Sequence, residues 1–266
     1  MLLENKIAIV YGAGGAVGRA VSRAFAREGA RVFLTGRRVA GLEELAAEIR
    51  AGGGRAEVGL VDALSRDEVE RHAAEVVGTA GGIDISVNAV SIRGDLQGTA
   101  LVDLSLEDFL APVNAAATAN FLTATTAARH MAERGSGVIV TFSTAASRLS
   151  GRDQGFHATG GFGVACGAVE LLSRHLAGEV GPSGVRVVCL RPDGIPDAWV
   201  AWGMIEDAAP DPEGSSTVKA YMERGTALRR LPKLAEVADT AAFMASDRAG
   251  AVTGTVVNLS CGSVLD

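Results

Sequence analysis

Three glycines near the N-terminus have the spacing of a phosphate-binding turn. Gly12, Gly14 and Gly18 form a GxGxxxG pattern between the apolar run Ile7–Val10 and the amphipathic stretch Val17–Glu28. A glycine turn lets the backbone approach a pyrophosphate, and the N-terminus of the helix after it offers free N–H groups and a positive dipole. The pattern predicts a nucleotide site, with a plain turn as the alternative. The predicted nucleotide-binding residues of this turn are Gly12, Gly14, Ala16, Val17 and Gly18.

Two arginines, Arg37 and Arg38, follow the second apolar run. In a dinucleotide-binding unit, a carboxylate at this place holds the ribose 2′-hydroxyl of NAD(H), whereas arginine suits the 2′-phosphate of NADP(H). Because no Asp or Glu directly follows the run, the sequence favours NADP(H) over NAD(H), although two arginines can also simply solvate a loop. After the third apolar run, Asp62 is predicted to receive the adenine amino group.

The rest of the chain predicts the scaffold for these residues. Short apolar runs alternate with amphipathic stretches along the whole sequence. The predicted strands are Ile7–Val10, Arg31–Leu34, Ala56–Val61, Ile83–Asn88, Gly137–Phe142, Val185–Leu190 and Thr255–Leu259. The predicted helices are Val17–Glu28, Ala40–Ala51, Ser65–Ala80, Leu106–Arg134, Gly160–Val180 and Leu234–Ala245. Buried strands that alternate with helices imply an α/β fold with a doubly wound, Rossmann-type parallel sheet in three α/β/α layers. We expect a single dinucleotide-binding domain over residues 1–266.

One segment interrupts this alternation. Residues 191–230 contain four prolines and the aromatic residues Trp199 and Trp202, and they are too many for an ordinary connection. A long insertion is more often a lid or a binding loop than a passive link. We expect a lid or substrate loop here; aromatic residues that only pack on the body are the alternative.

Composition excludes several classes of protein. The chain is 48% hydrophobic and 21% charged with a net charge of −6, which argues against disorder and against a surface built to bind nucleic acid. No apolar run predicts a signal peptide or a membrane-spanning helix. The three cysteines lie far apart in apolar surroundings, so reduced core thiols are expected and no metal site is predicted. These features predict a soluble, cytoplasmic protein.

Over essentially its whole length the chain resembles the short-chain dehydrogenase/reductase superfamily. The glycine loop is similar to that family's TGxxxGxG, and IDISVNAVS at residues 83–91 is similar to its strand ending in NNAG. VNAAATANF, GVIVTFSTAAS, GVRVVCLRPDGIPD and the C-terminal FMASDRAGAVTGTVVNLSCG follow in the order of the family's further motifs. The resemblance implies a nicotinamide cofactor near Asn88 and Ile195, and a catalytic asparagine at Asn114.

The departures from the family fall on its catalytic residues. In the family a serine holds the substrate oxygen, a tyrosine transfers its proton, and a lysine four residues later binds the nicotinamide ribose. The serine pair corresponds to Ser143 and Thr144, and counting thirteen residues from Thr144 gives His157 for the tyrosine and then Gly161 for the lysine. Neither of the two tyrosines, Tyr11 and Tyr221, has a lysine four residues later.

The altered site leaves three hypotheses. The first is an NADP(H)-dependent oxidoreductase that reduces a carbonyl or oxidises an alcohol of a small, apolar substrate, with His157 as proton donor or acceptor, because imidazole titrates near neutral pH. The second is a non-redox dehydratase, lyase or isomerase on the same scaffold. The third is a catalytically silent binding protein, in which His157 only fills the tyrosine pocket. Gly163 and Gly167, four residues apart, suggest a close-packed helix, which by resemblance pairs in a homodimer or homotetramer.

Overall fold

All seven strands form one parallel sheet. The computed structural model describes residues 1–92, 94, 97–149, 158–201 and 215–266, with the side chains of 200–201 and 215–218 left aside. The strands are β1 Ile7–Tyr11, β2 Arg31–Gly36, β3 Arg55–Leu60, β4 Ile85–Asn88, β5 Gly137–Phe142, β6 Val185–Pro192 and β7 Thr255–Leu259. Their order in the sheet is β3-β2-β1-β4-β5-β6-β7. The order reverses between β1 and β4, and in such sheets ligands bind in the crevice outside the carboxyl ends at that point.

Helices cover both faces of the sheet. They are α1 Ala16–Arg27, α2 Val39–Ala51, α3 Arg66–Ala80, α4 Leu106–Arg134, α5 Gly160–Val180, α6 Pro196–Ala201, α7 Ser215–Gly225 and α8 Leu234–Ala245. Along β1, Ala8 and Val10 pack into a core with α1, α2 and α8, whereas Ile9 and Tyr11 pack into a second core with α3, α4 and α5. The alternation of side chains along a strand thus fills two cores. The predicted three-layer Rossmann-type fold is confirmed.

The segment after β6 differs from the expected lid in its secondary structure. Arg191 and Pro192 belong to β6, because they pair with Asn258 and Leu259 of β7. The helices α6 and α7, which the sequence did not predict, lie within residues 191–230, while residues 202–214 are outside the described part. Among the described helices, none combines the length and apolarity needed to cross a bilayer.

Candidate active site at the carboxyl edge of the sheet

The glycine loop between β1 and α1 is closed by backbone contacts. The Gly15 amide donates to the Gly12 carbonyl over 3.0 Å, and the Ala13 amide donates to the Thr35 carbonyl at the end of β2 over 3.0 Å. Gly12 has φ +77°, and a Cβ there would lie 2.6 Å from the Ala89 carbonyl oxygen. A Cβ on Gly18 would overlap the Gly12 carbonyl oxygen. Only glycine leaves room for these close backbone contacts, as expected of a loop whose backbone faces a ligand.

The N-terminus of α1 faces this loop without a side-chain cap. Gly15 is the N-cap residue, and the first turn contains no acidic side chain. Gly14 is exposed, and the nearest atom to a Cβ added there is Leu42 Cδ2 at 3.8 Å. Ala16 is buried and Val17 half-buried, so both shape the beginning of the helix. The positive end of the α1 dipole is therefore open to an anion.

Arg37 and Arg38 stand beside the loop. They follow β2 two and three residues after Thr35, whose carbonyl holds Ala13, and both are exposed. Neither forms an ion pair within residues that the structure describes. Two free guanidinium groups next to an open helix N-terminus suit a ligand that carries several phosphates. The donor set on this side fits the adenosine half of a phosphorylated dinucleotide.

Asp62 follows β3 and Asn88 ends β4, two strands that β2 and β1 separate in the sheet. Asp62 is half-buried, and its Oδ1 accepts a hydrogen bond from the Leu64 amide over 3.0 Å. Asn88 is buried; its Nδ2 donates to Thr123 Oγ1 over 2.9 Å and its Oδ1 accepts from the Val90 amide over 3.1 Å. Asn88 thereby fixes the backbone after β4, against which Gly12 packs.

At the end of β5 the two hydroxyl residues have different partners. Ser143 is buried and donates to Glu170 Oε1 on α5 over 2.9 Å. Thr144 is half-buried; its Oγ1 accepts from the Ala146 amide over 3.2 Å and lies 3.5 Å from Cys166 Sγ. Of the two predicted catalytic hydroxyls, Ser143 is thus engaged inside the protein, whereas Thr144 lies at the edge of the crevice.

Below Ser143 lies a buried charged network that the sequence analysis missed. Arg191 of β6 is 1% exposed and pairs with Glu170 Oε2 over 3.5 Å and with the carboxylate of Asp266. Ser147 also donates to Glu170 Oε1, over 2.6 Å. The Arg191 Nε has no partner within the described chain. The available signal was Glu170, a charged residue inside the stretch predicted for α5, because a charge in a buried stretch needs a partner. Arg191 gave no such signal, because it follows the last residue of the predicted strand Val185–Leu190.

Of the two residues expected in the tyrosine and lysine positions, the structure describes only Gly161. His157 lies outside the described residues. Gly161, expected in the lysine position, faces α4: a Cβ there would overlap the Phe109 carbonyl oxygen and lie 3.0 Å from Pro112 Cγ. Position 161 therefore cannot carry a lysine, because the backbone of α4 occupies the space that its side chain would need.

Asn114, the predicted catalytic asparagine, lies on the outer side of α4. It is exposed on α4, on the face that carries the exposed residues Thr118 and Phe121. Ala116 is the α4 residue that packs against Ala165 and Val169 of α5. The physical reason is the helical period, since two residues along a helix turn a side chain by about 200°. No side-chain hydrogen bond of Asn114 exists within the part of the chain that the structure describes.

The acidic residues after β6 bind backbone amides of their own chain. Asp193 Oδ1 accepts from the Gly194 amide over 2.8 Å, and Asp197 Oδ2 accepts from the Leu234 amide at the start of α8 over 2.9 Å. Ile195 is buried against Ala16 at the start of α1. This segment is thus tied to the glycine loop and to α8. Trp202 of the expected lid lies outside the described residues.

Burial controls the ionisation of the thiol beside Thr144. Cys166 is fully buried, and desolvation raises its pKa to about 11, against a smaller opposing effect of the Thr144 hydrogen bond. The thiol is therefore neutral at physiological pH. Thr144 consequently faces a neutral thiol.

Comparison with known proteins gives matches along nearly the whole chain. Residues 12–263 match a family model described as enoyl-(acyl carrier protein) reductase. An uncharacterized oxidoreductase of Mycobacterium tuberculosis is 31% identical over 98% of this chain and 92% of its own length. The short-chain reductase protein NovJ of Streptomyces niveus is 30% identical over 97% of this chain and 94% of its own. A solved short-chain type dehydrogenase/reductase from Mycobacterium marinum superposes with a TM-score of 0.83 at 28% identity, covering 99% and 97% of the two chains.

Proposed function

The chain belongs to the short-chain dehydrogenase/reductase superfamily, and from that premise we propose that it binds NADP(H) and reduces a carbonyl or oxidises an alcohol of a small, apolar substrate. The observation that carries the cofactor preference is the pair Arg37 and Arg38, exposed, without ion pairs in the described chain and next to the glycine loop. A 2′-phosphate carries two negative charges more than a 2′-hydroxyl, and guanidinium groups bind it through charge-assisted hydrogen bonds.

In this proposal, one end of the crevice binds the cofactor and the other end orients the substrate and transfers the proton. The glycine loop and the N-terminus of α1 bind the pyrophosphate, Asp62 receives the adenine, and Ile195 lines the cofactor. When bound, the nicotinamide supplies or accepts a hydride. The Thr144 hydroxyl orients the substrate oxygen at the end of β5, with Ser143 held behind it by Glu170. His157 transfers the proton, as an imidazole can near neutral pH.

The cofactor preference is tested by titrating NADPH and NADH against the protein and following nucleotide fluorescence. Replacing both arginines with alanine should weaken NADPH binding by about 10- to 100-fold, since hydrogen bonds to charged groups contribute about 1.5–3 kcal/mol each. NADH binding should stay within about twofold, because NADH has no 2′-phosphate for the two arginines to bind. Arg248→Ala is the matched control. This exposed arginine is next to Asp247, which pairs with Lys6 just before β1. Arg248 is therefore near the amino ends of the strands, away from the glycine loop. Equal losses for both nucleotides would contradict the proposal.

A second candidate, a cofactor-binding protein without redox turnover, is favoured by one observation. Because α4 fills the space at Gly161, that position provides no cation for a nicotinamide ribose. A panel of ketones and alcohols, assayed through nicotinamide absorbance, separates the two candidates. The oxidoreductase predicts turnover that His157→Gln lowers by about 100-fold, the lower range for a general acid or base. Tight NADPH binding with no turnover over the whole panel supports the silent protein.

We also propose that the protein is a homo-oligomer. The proposal rests on exposed apolar side chains and not on the spacing of Gly163 and Gly167. A Cβ on Gly163 would lie 2.9 Å from the Ala146 carbonyl oxygen of the same chain, so that glycine serves internal packing. The outer face of α4 and α5 exposes Phe121, Val164 and Leu171, at 46%, 46% and 53%. Exposed apolar side chains on adjacent helices are typical of a subunit interface. Leu171→Glu should convert the oligomer to monomers in light scattering; an unchanged mass would place the interface elsewhere.

A further inference from the structure

One face of α5 is directed at the end of β5. Cys166 Sγ lies 3.5 Å from Thr144 Oγ1, and one turn later Glu170 accepts the hydrogen bond of Ser143 over 2.9 Å. Residues four apart on a helix lie one above the other on the same face. The residues of α5 that meet the two hydroxyls of β5 therefore belong to the series 162, 166 and 170.

Position 162 begins this series at the open end of the helix. Phe162 is half-buried, and a Cβ added to Gly94, in the loop after β4, would lie 3.6 Å from Phe162 Cε2. The ring thus lies beside the loop after β4, whose first residues pack against Gly12 of the glycine turn. Gly161 is turned by about 100° from Phe162 and faces α4 instead.

We propose that Phe162 and Cys166, one turn apart on α5, occupy the places where the resemblance expects the proton-transferring tyrosine and the ribose-binding lysine. This inference rests on the proposed nicotinamide site, and it replaces His157 and Gly161 in those two places. Phe162 is eighteen residues after Thr144 and not thirteen, so the segment between these two places is five residues longer than the spacing used to reach His157. His157 itself precedes α5 in the sequence and lies outside the described residues.

The two residues give the reaction centre an unusual chemistry. Phe162 provides a ring without a hydroxyl, so it shapes the crevice but transfers no proton. Cys166 provides a neutral thiol, because burial raises its pKa, and it forms no cation for a ribose. Among the described residues at this place, Thr144 alone presents a hydroxyl to the crevice, since Ser143 is bound to Glu170.

The first experiment needs no substrate. NADPH and 2′-phospho-ADP-ribose, which lacks the nicotinamide, are titrated calorimetrically against the protein and against Cys166→Lys. If position 166 is the lysine place, an ammonium there should bind the nicotinamide ribose, so NADPH should bind about 10-fold more tightly. The fragment should bind within about twofold of the parent and so show that the variant is folded. A Cys166→Lys variant that binds both ligands as the parent does would overturn the assignment. If the parent binds neither ligand, the proposed function fails.

The second experiment adds the missing hydroxyl. Phe162→Tyr, alone and with Cys166→Lys, should raise NADPH-dependent carbonyl reduction by at least about 10-fold, because general acid catalysis contributes about 100- to 10,000-fold when fully tuned. Phe243→Tyr makes the same chemical change at an exposed position of α8 and should leave the rate unaltered. His157→Tyr is the rival: a gain there, with none in Phe162→Tyr, would contradict the proposal.

The third experiment tests the contact itself and does not depend on the cofactor. Thr144→Cys places a second thiol beside Cys166, and mild oxidation should form a disulfide that peptide mass mapping identifies between residues 144 and 166. Ser147→Cys is the control, because the Ser147 side chain is directed at Glu170. If the 144–166 bond does not form, α5 does not present Cys166 to the end of β5 and the assignment is wrong. A bond formed only in Thr144→Cys supports it, whether or not the nucleotide binds.

Discussion

The two halves of the crevice use their polar groups in opposite ways. Around the glycine loop, the N-terminus of α1 is uncapped and Arg37 and Arg38 form no ion pair in the described chain. At the end of β5, Ser143 is bound to Glu170 and Glu170 is bound to Arg191. The first region, the adenosine half, leaves its polar groups available for a ligand. In the second region, the reaction-centre half, the polar groups bind one another inside the protein. The proposed cofactor binding and the proposed proton transfer therefore depend on different residues.

The difference follows from the chemical groups that each half uses. Phosphate binding uses backbone amides and surface guanidinium groups, which cost the folded state little when no ligand is bound. A buried proton relay needs ionisable side chains, which must be neutral or paired in the interior. In this protein the buried charges of Arg191 and Glu170 pair with each other, and a neutral thiol lies next to Thr144.

The largest expected effect lies in the reaction-centre half. Arg191→Met leaves Glu170 buried and without its cation, and the loss of one partner of a buried pair costs about 3–5 kcal/mol. Urea unfolding should show a loss of this size. Adding Glu170→Gln should recover part of it, because the unpaired charge is then removed. Arg148→Ala, at an exposed arginine 3.8 Å from Asp266, should cost less than about 0.5 kcal/mol. If Arg191→Met costs no more than the control, the network does not hold this half together.

A smaller effect is expected in the adenosine half. Gly18→Ala introduces a Cβ that overlaps the Gly12 carbonyl oxygen and lies 2.8 Å from Ala13 Cα, so the loop must shift. Overpacking of this kind costs about 1–3 kcal/mol, and NADPH binding should be lost with the loop geometry. Gly14→Ala has 3.8 Å to its nearest neighbour and should change the free energy of unfolding by less than about 0.5 kcal/mol. Equal stabilities of the two variants would show that the loop is not constrained by close packing.

The smallest effect concerns the outer edge of the adenosine half. His72 of α3 is 7% exposed, packs against Phe33 and Gly59, and has an unpartnered Nδ1 within the described chain. Burial lowers its pKa below the ordinary 6.5. The unfolded chain therefore takes up a proton first, and stability present above pH 6.5 is lost as the pH falls towards the folded-state pKa.

This loss is limited to about 1.4 kcal/mol per pH unit for one group. Unfolding measured between pH 7.5 and 5 should show it in the parent and not in His72→Gln. The exposed His175, replaced with Gln, is the matched control. A pH dependence that His72→Gln leaves intact would assign the proton uptake to another group.

The elements were predictable to different degrees. The helices Leu106–Arg134, Gly160–Val180 and Leu234–Ala245 begin and end as predicted, because their boundaries are marked by turn residues and by a change of apolar period. The continuation of β6 through Arg191 was not predictable, since a charged residue normally ends a buried run. It continues because Glu170 and Asp266, 21 and 75 residues away, neutralise it.

The sequence by itself determined the three-layer fold, the glycine turn and the arginine pair, and the absence of a tyrosine with a lysine four residues later. These properties are local: each depends on residue type and on spacing within one strand, turn or helix. Only the tertiary structure decided which residues of α5 meet the end of β5. That depends on the rotation of a helix about its axis and on the length of the loop before it. One residue along α5 turns a side chain by about 100°. Cys166 therefore faces Thr144, whereas Gly161, which is not on the same face of the helix, faces α4.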